Sequence, residues 1–182
     1  MKRCVWLAGF LIGCGSGAPD DPPGEPAIHL ESPAFGEEQA IPRAHSCDGP
    51  NVSPPLAWSG VPDEARSLVL ICEDPDAPLG TWCHWILYDV PPRIRELRQD
   101  LPTGVRIPLT PEGPAVRQGV NDFGNTGYGG PCPPSGTHRY VFHLYALDEP
   151  PVLPESPKRS QVLQAIRGHV VATGKLVGLY SR

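Results

Sequence analysis

Apolar residues in this chain fall into short runs that prolines and glycines separate. The run from Ser67 to Cys72 is almost uninterrupted, which is typical of a strand buried on both faces. Residues 28–32 and 138–147 alternate between apolar and polar positions, as half-buried strands do. Together with the apolar segments 82–88 and 176–180, these patterns predict a protein built mainly from β-strands.

Side chains alternate across a strand, so each pattern also predicts which residues share a face. In the segment 82–88 we expect one face to carry Trp82, His84, Ile86 and Tyr88, and the other to carry Cys83, Trp85 and Leu87. In the segment 138–147 we expect one face to carry His138, Tyr140, Phe142, Leu144 and Ala146.

One helix is predicted near the C-terminus. Ser156 is a candidate cap, and Pro157 suits the first helical position. The stripe that follows has helical spacing, and Gly174 is the expected end of the helix. The stripe consists of Val162, Leu163, Ile166, His169 and Val170.

Length and composition narrow the class of protein. The 182 residues suit one domain with a substantial core, and 25 prolines with 20 glycines suit a loop-rich β protein. The net charge of -5 gives no electrostatic basis for binding nucleic acid, so we expect no such partner.

The N-terminal residues have the character of an export signal. Met1, Lys2 and Arg3 precede an apolar run that is too short to span a bilayer, and the run ends at Leu11-Ile12-Gly13-Cys14. This ending resembles a bacterial lipobox, so we expect residues 1–13 to be a lipoprotein signal peptide and Cys14 to be lipidated. The alternatives are an ordinary signal peptide or a buried N-terminal strand. Residues 14–27 are rich in Gly, Pro and acids and suit a tether, which leaves 28–182 as the folded domain.

Polar residues concentrate where two of the predicted strands begin and end. Asp74-Pro75-Asp76-Ala77-Pro78 and Trp82-Cys83-His84-Trp85 lie between two apolar runs, and Gly130-Pro131-Cys132-Pro133-Pro134 leads to Gly136-Thr137-His138-Arg139-Tyr140. With Cys47-Asp48-Gly49 and Ser53-Pro54-Pro55-Leu56-Ala57-Trp58, these motifs resemble the phosphatidylethanolamine-binding protein family, in its bacterial Raf-kinase-inhibitor-like branch.

The resemblance implies an all-β dominated fold, an antiparallel Greek-key β-sandwich with one or a few peripheral helices. It also implies a pocket for phosphate-like head groups, formed by Asp74, Asp76, Pro78, Trp82, His84, Gly130, His138 and Tyr140. It brings Cys47 and Cys132 to the rim of the pocket, where we expect a disulfide. Cys72 and Cys83 suit inert core positions, with a bond between neighbouring strands as the alternative.

These residue types suit an anion. A carboxylate such as Asp74 would orient an imidazole and favour its charged form, so that His84 and His138 donate to phosphoryl oxygens. Backbone N–H groups at Gly129 and Gly130 and the Tyr140 hydroxyl are further candidate donors. Trp82 and the prolines would form dry walls that strengthen these hydrogen bonds. The competing interpretation is that both histidines are structural, as we expect for His29, His45, His143 and His169.

Metal binding and catalysis are less favoured. Two histidines and a carboxylate can form a metal site, but no single element fixes their spacing, so we expect no metal and no cofactor. Cys83 adjoins His84, but adjacent strand residues point to opposite faces. Cys132 and Ser135 lie closer to His138 in the sequence, but neither has a neighbouring group that would activate it as a nucleophile.

We therefore expect a lipid-anchored binding protein of the bacterial envelope rather than an enzyme. The alternatives are an inhibitor of a protease or other protein partner, and an uncharacterised hydrolase.

Overall fold

Ten strands in the described part of the chain form two sheets. The computed structural model describes residues 28–109 and 115–182. The smaller sheet contains, in spatial order, β1 (His29–Glu31), β3 (Leu56–Ser59) and β6 (Glu96–Leu97). The larger sheet contains, in spatial order, β2 (Gln39–Ala40), β10 (Val170–Ser181), β9 (Thr137–Leu147), β4 (Ser67–Asp74), β5 (Trp82–Val90), β8 (Ala115–Gln118) and β7 (Arg106–Pro108).

The strand order confirms the predicted Greek-key sandwich. Strands β4, β5 and β8 are neighbours in the sheet, and β9 returns by a long connection to lie on the other side of β4. These pairings are antiparallel, whereas the short β2 runs parallel to β10. Because β4 and β9 are antiparallel, the end of β4 and the start of β9 lie at the same edge, and this edge carries the candidate site.

The larger sheet is covered on both faces. One face packs against the smaller sheet, with Trp58 and Leu30 of that sheet against residues such as Trp85 and Phe142. The other face packs against α1 (Arg159–Ala165), whose Val162 is completely buried. This double coverage explains why β4 is apolar on both faces, as its sequence predicted.

Strand β5 departs from the strict alternation that we predicted. Cys72 pairs with Trp85, and Glu73 pairs with Cys83, so His84 is an extra residue opposite a shift in register. Such a β-bulge changes the direction in which neighbouring side chains point.

Because of this bulge, the side chains of β5 are divided between its two faces differently from the prediction. Trp85 and Leu87 lie in the core between the two sheets, while Cys83, Ile86 and Tyr88 lie in the core beneath α1. The prediction that Ile86 and Tyr88 share a face with His84 was therefore wrong. In β9, Tyr140, Phe142, Leu144 and Ala146 do share the inner face as predicted, because that strand is regular there.

The helix is shorter than predicted and begins later. It starts at Arg159 rather than near Ser156, and the Gln161 side chain accepts a hydrogen bond from the Lys158 backbone at its N-terminus. Gly168, at a φ of 82°, provides the turn into β10. Gly174, the predicted end of the helix, instead lies inside β10 beside the backbone of Ile28.

In residues 28–109 and 115–182, no helix has the length and hydrophobicity needed to cross a bilayer. The predicted signal peptide, the lipidated Cys14 and the tether lie outside the described residues.

Candidate functional site

The site begins with a buried pair between Asp74 and His138. Asp74 ends β4 and His138 lies at the start of β9, and the two side chains meet with Oδ2 and Nδ1 2.7 Å apart. The other carboxylate oxygen accepts a hydrogen bond of 2.8 Å from the backbone N–H of Asp76. Asp74 therefore fixes the ring of His138 and leaves Nε2 of His138 available to a ligand.

His84 is held in a different way. Its side chain is buried, and its Nδ1 lies 2.6 Å from the carbonyl oxygen of Gly129, so Nδ1 carries a proton and donates it. Burial lowers the pKa of His84, although the Gly129 carbonyl and the Asp74 carboxylate act in the opposite direction. His84 is thus neutral at pH 7 with its Nε2 unprotonated, and the imidazole that Asp74 orients is that of His138.

Tyr140 packs against His84. Its ring meets the His84 ring edge to face at a centroid distance of 5.1 Å. The hydroxyl is buried near Asp74 and the Cys132 backbone, but it forms no hydrogen bond of normal geometry with any described residue. Burial raises the pKa of Tyr140, so the hydroxyl keeps its proton at neutral pH. The hydroxyl is therefore a buried donor whose neighbouring carboxylate, Asp74, does not accept from it with normal geometry.

An aromatic wall closes one side of the site. Trp82 and His84 both contact the ring of Phe123, at centroid distances of 5.5 and 5.3 Å. Asn121 holds the Phe123 loop, because its side-chain oxygen accepts hydrogen bonds from the backbone of Phe123 and Asn125. Sequence reasoning missed Phe123, and the available signal was an aromatic residue within the glycine-interrupted segment 120–128.

The backbone of Gly129 and Gly130 does not offer free donors. The Gly129 N–H donates to the His84 carbonyl at 2.9 Å, and the Gly130 N–H donates to the Asn51 side chain at 2.7 Å. The expected anion contacts at these amides are therefore wrong. Gly130 is needed for close packing instead, because a Cβ atom would collide with the His45 carbonyl and Asn51.

Asp76 and Pro78 lie at the rim rather than in the buried cluster. Asp76 forms two side-chain hydrogen bonds with the Arg139 guanidinium, at 2.8 and 2.6 Å. This partner lowers the pKa of Asp76 to about 2. Pro78 is exposed and precedes Leu79, whose side chain is 93% exposed. Asp76 therefore ties the loop to β9.

A disulfide between Cys47 and Cys132 joins the two loops behind the site, with the Cα atoms 5.4 Å apart. Hydrogen bonds reinforce the junction: the Cys47 N–H donates to the Pro131 carbonyl, and the Tyr128 hydroxyl donates to the His45 carbonyl. His45 is buried and helps hold this loop through a contact between Nδ1 and the Val52 carbonyl.

The other two described cysteines are free and buried. Cys72 lies in the core between the sheets and Cys83 in the core beneath α1, so a bond between them is excluded. Burial raises the pKa of Cys83 to about 12, which keeps its thiol protonated. Within 28–109 and 115–182, no three His, Cys, Asp or Glu side chains cluster as metal ligands do.

Comparison with known proteins gives one consistent result. Residues 31–181 match the family described as phosphatidylethanolamine-binding protein. A relative from Methanothermobacter thermautotrophicus is 48% identical over 155 residues, which is 85% of this chain and 99% of the relative. A relative from Pyrococcus abyssi is 40% identical and covers 100% of this chain and 99% of its own length. The similar proteins come from bacteria and archaea alike.

Solved structures are similar as well, and two of them show the extent of the match. One is a phosphatidylethanolamine-binding protein homologue from Chlamydia trachomatis, with a TM-score of 0.77 and 42% identity, covering 86% of this chain and 98% of that one. The other is YbcL of Escherichia coli, described as a member of the mammalian family, with a TM-score of 0.75 and 30% identity, covering 85% of this chain and 98% of that one.

Proposed function

Because the chain belongs to the phosphatidylethanolamine-binding protein family, we propose that it is a binding protein for small anions. The ligand is a phosphate or a phosphate-like head group, and it binds among His84, His138 and Tyr140. Asp74 serves this site by orienting His138 rather than by contacting the ligand.

The Tyr140 hydroxyl is the observation that carries this proposal. A buried donor without a well-placed acceptor costs about 1–3 kcal/mol. The Tyr140 hydroxyl has almost no exposed surface, so an oxyanion would supply the missing acceptor once the side chains that cover this hydroxyl move apart. His138 Nε2 offers a second donor when the ring is protonated. The aromatic wall of Trp82 and Phe123 limits access of water, which strengthens hydrogen bonds to an anion.

Calorimetric titration with inorganic phosphate and with phosphoethanolamine tests the proposal. We expect saturable binding, and Tyr140→Phe should weaken it about tenfold, because one hydrogen bond to a charged ligand is lost. Tyr140→Phe removes a single oxygen and should fold normally. Asp74→Asn and His138→Ala should weaken binding as well.

His29→Ala is the matched control, because His29 is exposed and contacts Glu31 away from the site. The proposal is contradicted if Tyr140→Phe and His138→Ala both bind as tightly as the natural protein. It is also contradicted if the natural protein binds neither phosphate nor phosphoethanolamine.

In the proposed function, the protein binds its ligand without chemical turnover. Protonated Cys83 is a poor nucleophile, and it lies on the other face of the large sheet from the Tyr140 cluster. Incubation with generic esterase and phosphatase substrates should release no product. If the natural protein releases product and His138→Ala does not, the site is a hydrolase site rather than a binding site.

Inhibition of a protease is the second candidate function. Leu79 is 93% exposed and Phe123 is 45% exposed, so the rim presents apolar side chains that suit a protein partner. If this candidate is right, the chain slows cleavage by an envelope protease in a stoichiometric manner, and Leu79→Ser relieves the inhibition.

We also propose that the chain is exported and anchored to the bacterial cell envelope through Cys14. The basis is its N-terminal sequence, in which a short apolar run ends at this cysteine.

A further inference from the structure

A second cleft lies at the opposite end of β4 and β5 from the anion pocket. Asp74 and His84 are near one end of these strands, whereas Ser67 and Val90 are at the other. Strand β4 is eight residues long, so its two ends lie about 23 Å apart. The cleft has a volume of about 620 Å³. Its lining comes from four separate segments of the chain, which are residues 66–67, 89–93, 117 and 150–153.

Positive charge dominates the cleft. Arg66, Arg93 and Arg117 line it, and Asp89 is the acidic residue among the lining side chains. Arg117 pairs with Asp89 at 2.6 Å, so this pair contributes little net charge. Arg66 donates to the backbone carbonyl oxygens of Asp63 and Ala65, and neither Arg66 nor Arg93 forms an ion pair with a carboxylate in the described residues. The cleft therefore keeps a net charge near +2 in a chain whose overall charge is -5.

Arg106 adds a second positive charge beside Arg117, and an aromatic ring holds the Arg117 guanidinium in place. Arg106 on β7 is the direct cross-strand partner of Arg117 on β8, and like charges at such positions repel each other. The Arg117 guanidinium also lies over the Tyr88 ring at 4.9 Å, which holds it in place. The carboxylates of Asp89 and Glu155 offset this repulsion, so the unpaired positive charge of the cleft is that of Arg66 and Arg93.

A buried polar group accompanies the arginines. Ser67 lines the cleft, is buried, and its hydroxyl has no hydrogen-bond partner among the described residues. The hydroxyl oxygen itself is covered, so the Ser67 side chain has to rotate about χ1 to donate to an oxyanion in the cleft.

The rest of the wall is apolar. It includes Pro91, Pro92, Pro150 and Pro151 together with Leu153 and Val152, whose side chain is 93% exposed. Prolines form rigid surfaces that lose little conformational entropy on binding. A free inorganic ion would leave this surface uncovered, whereas a ligand with a short apolar group would cover it.

We propose that this cleft binds an oxyanion, carboxylate or phosphate, carried by a short apolar group. The acid group lies against Arg66 and Arg93 with Ser67 as a further donor, and the apolar group lies on the proline wall. The site is separate from the pocket around His138, and the proposal does not depend on the function assigned to that pocket.

Titration of the full-length chain with benzoate, phenyl phosphate and benzyl alcohol tests this proposal. Calorimetry gives the affinities, and amide NMR locates the binding through the signals of Ser67, Val90 and Leu153, with Gly129 reporting on the other pocket. We expect at least one of the two anions to shift the cleft signals and to bind at least about tenfold more tightly than the neutral alcohol. The tighter of the two anions identifies the acid group.

Variants distinguish a built site from general attraction to positive charge. Arg66→Gln and Arg93→Gln should each weaken binding about tenfold, and Ser67→Ala should weaken it without disturbing the fold. Arg98→Gln is the matched control, because Arg98 is an exposed arginine outside the cleft and should have no effect. The proposal is overturned if neither anion shifts the cleft signals, if the alcohol binds as tightly as the anions, or if Arg98→Gln weakens binding as much as Arg93→Gln.

Discussion

His84 and His138 belong to one cluster but differ in what holds Nδ1. The Asp74 carboxylate accepts the contact at Nδ1 of His138, whereas the backbone carbonyl of Gly129 does so at Nδ1 of His84. Burial disfavours a charge on His84 in the free protein. An anion at Nε2 of His84 would reverse this preference, so binding should take up a proton there.

The proton uptake predicts how affinity depends on pH. The pKa of free His84 lies below the ordinary value of about 6.5, and an adjacent anion raises it in the complex. Between these two values the complex holds one more proton, so affinity should fall as pH rises, by up to about tenfold per pH unit. Affinity should be constant below the pKa of the free protein. Sulfate is a suitable ligand because it does not itself titrate in this range.

Calorimetry with sulfate from about pH 5 to about pH 8 measures the slope, and His84→Gln should reduce it. His29→Ala should leave it unchanged. A slope that is as steep in His84→Gln as in the natural protein would assign the proton to another group.

The main residues of the site could be predicted from the sequence, because strand ends and their motifs bring them together. Asp74, His84, His138 and Tyr140 meet as expected. The role of Gly130 could not be predicted, since its amide partner Asn51 comes from a distant loop. The sequence also did not show which imidazole Asp74 contacts, because its partner His138 lies 64 residues later in the chain.

At the scale of elements, the errors arose where local patterns were ambiguous. A helical stripe continued beyond the true helix because Val170, its last residue, belongs to β10. The long pairing of β10 with β9 overrides the local preference for helix there. Gly168 breaks the pattern, and it lies only two residues before the strand begins.

Gly168→Ala tests this boundary. At a φ of 82° an alanine is strained although its Cβ would meet no atom within 4 Å, so we expect a loss of about 1 kcal/mol in the free energy of unfolding. Chemical denaturation measures the change. Gly36→Ala is the control, because Gly36 has an ordinary φ and a Cβ there would meet only the Gln39 side chain, at 3.4 Å. Equal effects of the two substitutions would contradict the proposed turn.

The disulfide links loops that are 85 residues apart in sequence. The bond restricts the unfolded chain, so the double variant Cys47→Ser/Cys132→Ser should lose roughly 2–5 kcal/mol of unfolding free energy. Reductant should lower the stability of the natural protein by a similar amount and leave the double variant unchanged. A natural protein that is equally stable with and without reductant would show that the bond does not stabilise the fold.

At the scale of the whole molecule, the family resemblance predicted the sandwich because its motifs lie at several separated strand ends. The arginine cleft has no such motif, since its lining comes from four separate segments and each contributes a few residues. Only the folded chain brings these segments together. The two sites lie at opposite ends of β4, so a ligand in one pocket does not contact the other.

Attachment to a membrane is the last property that follows from the sequence at this scale. If Cys14 carries the lipid, Cys14→Ser should move the protein from the membrane fraction to the soluble fraction, because stable anchoring depends on acyl chains attached at that residue. Cell fractionation with detection of incorporated radioactive fatty acid measures both effects. Cys4→Ser is the matched control, because Cys4 lies inside the expected signal peptide and its loss should leave the anchor intact. A Cys14→Ser protein that stays in the membrane fraction and still carries labelled lipid would place the anchor elsewhere, whereas membrane retention without the label would indicate an uncleaved apolar segment.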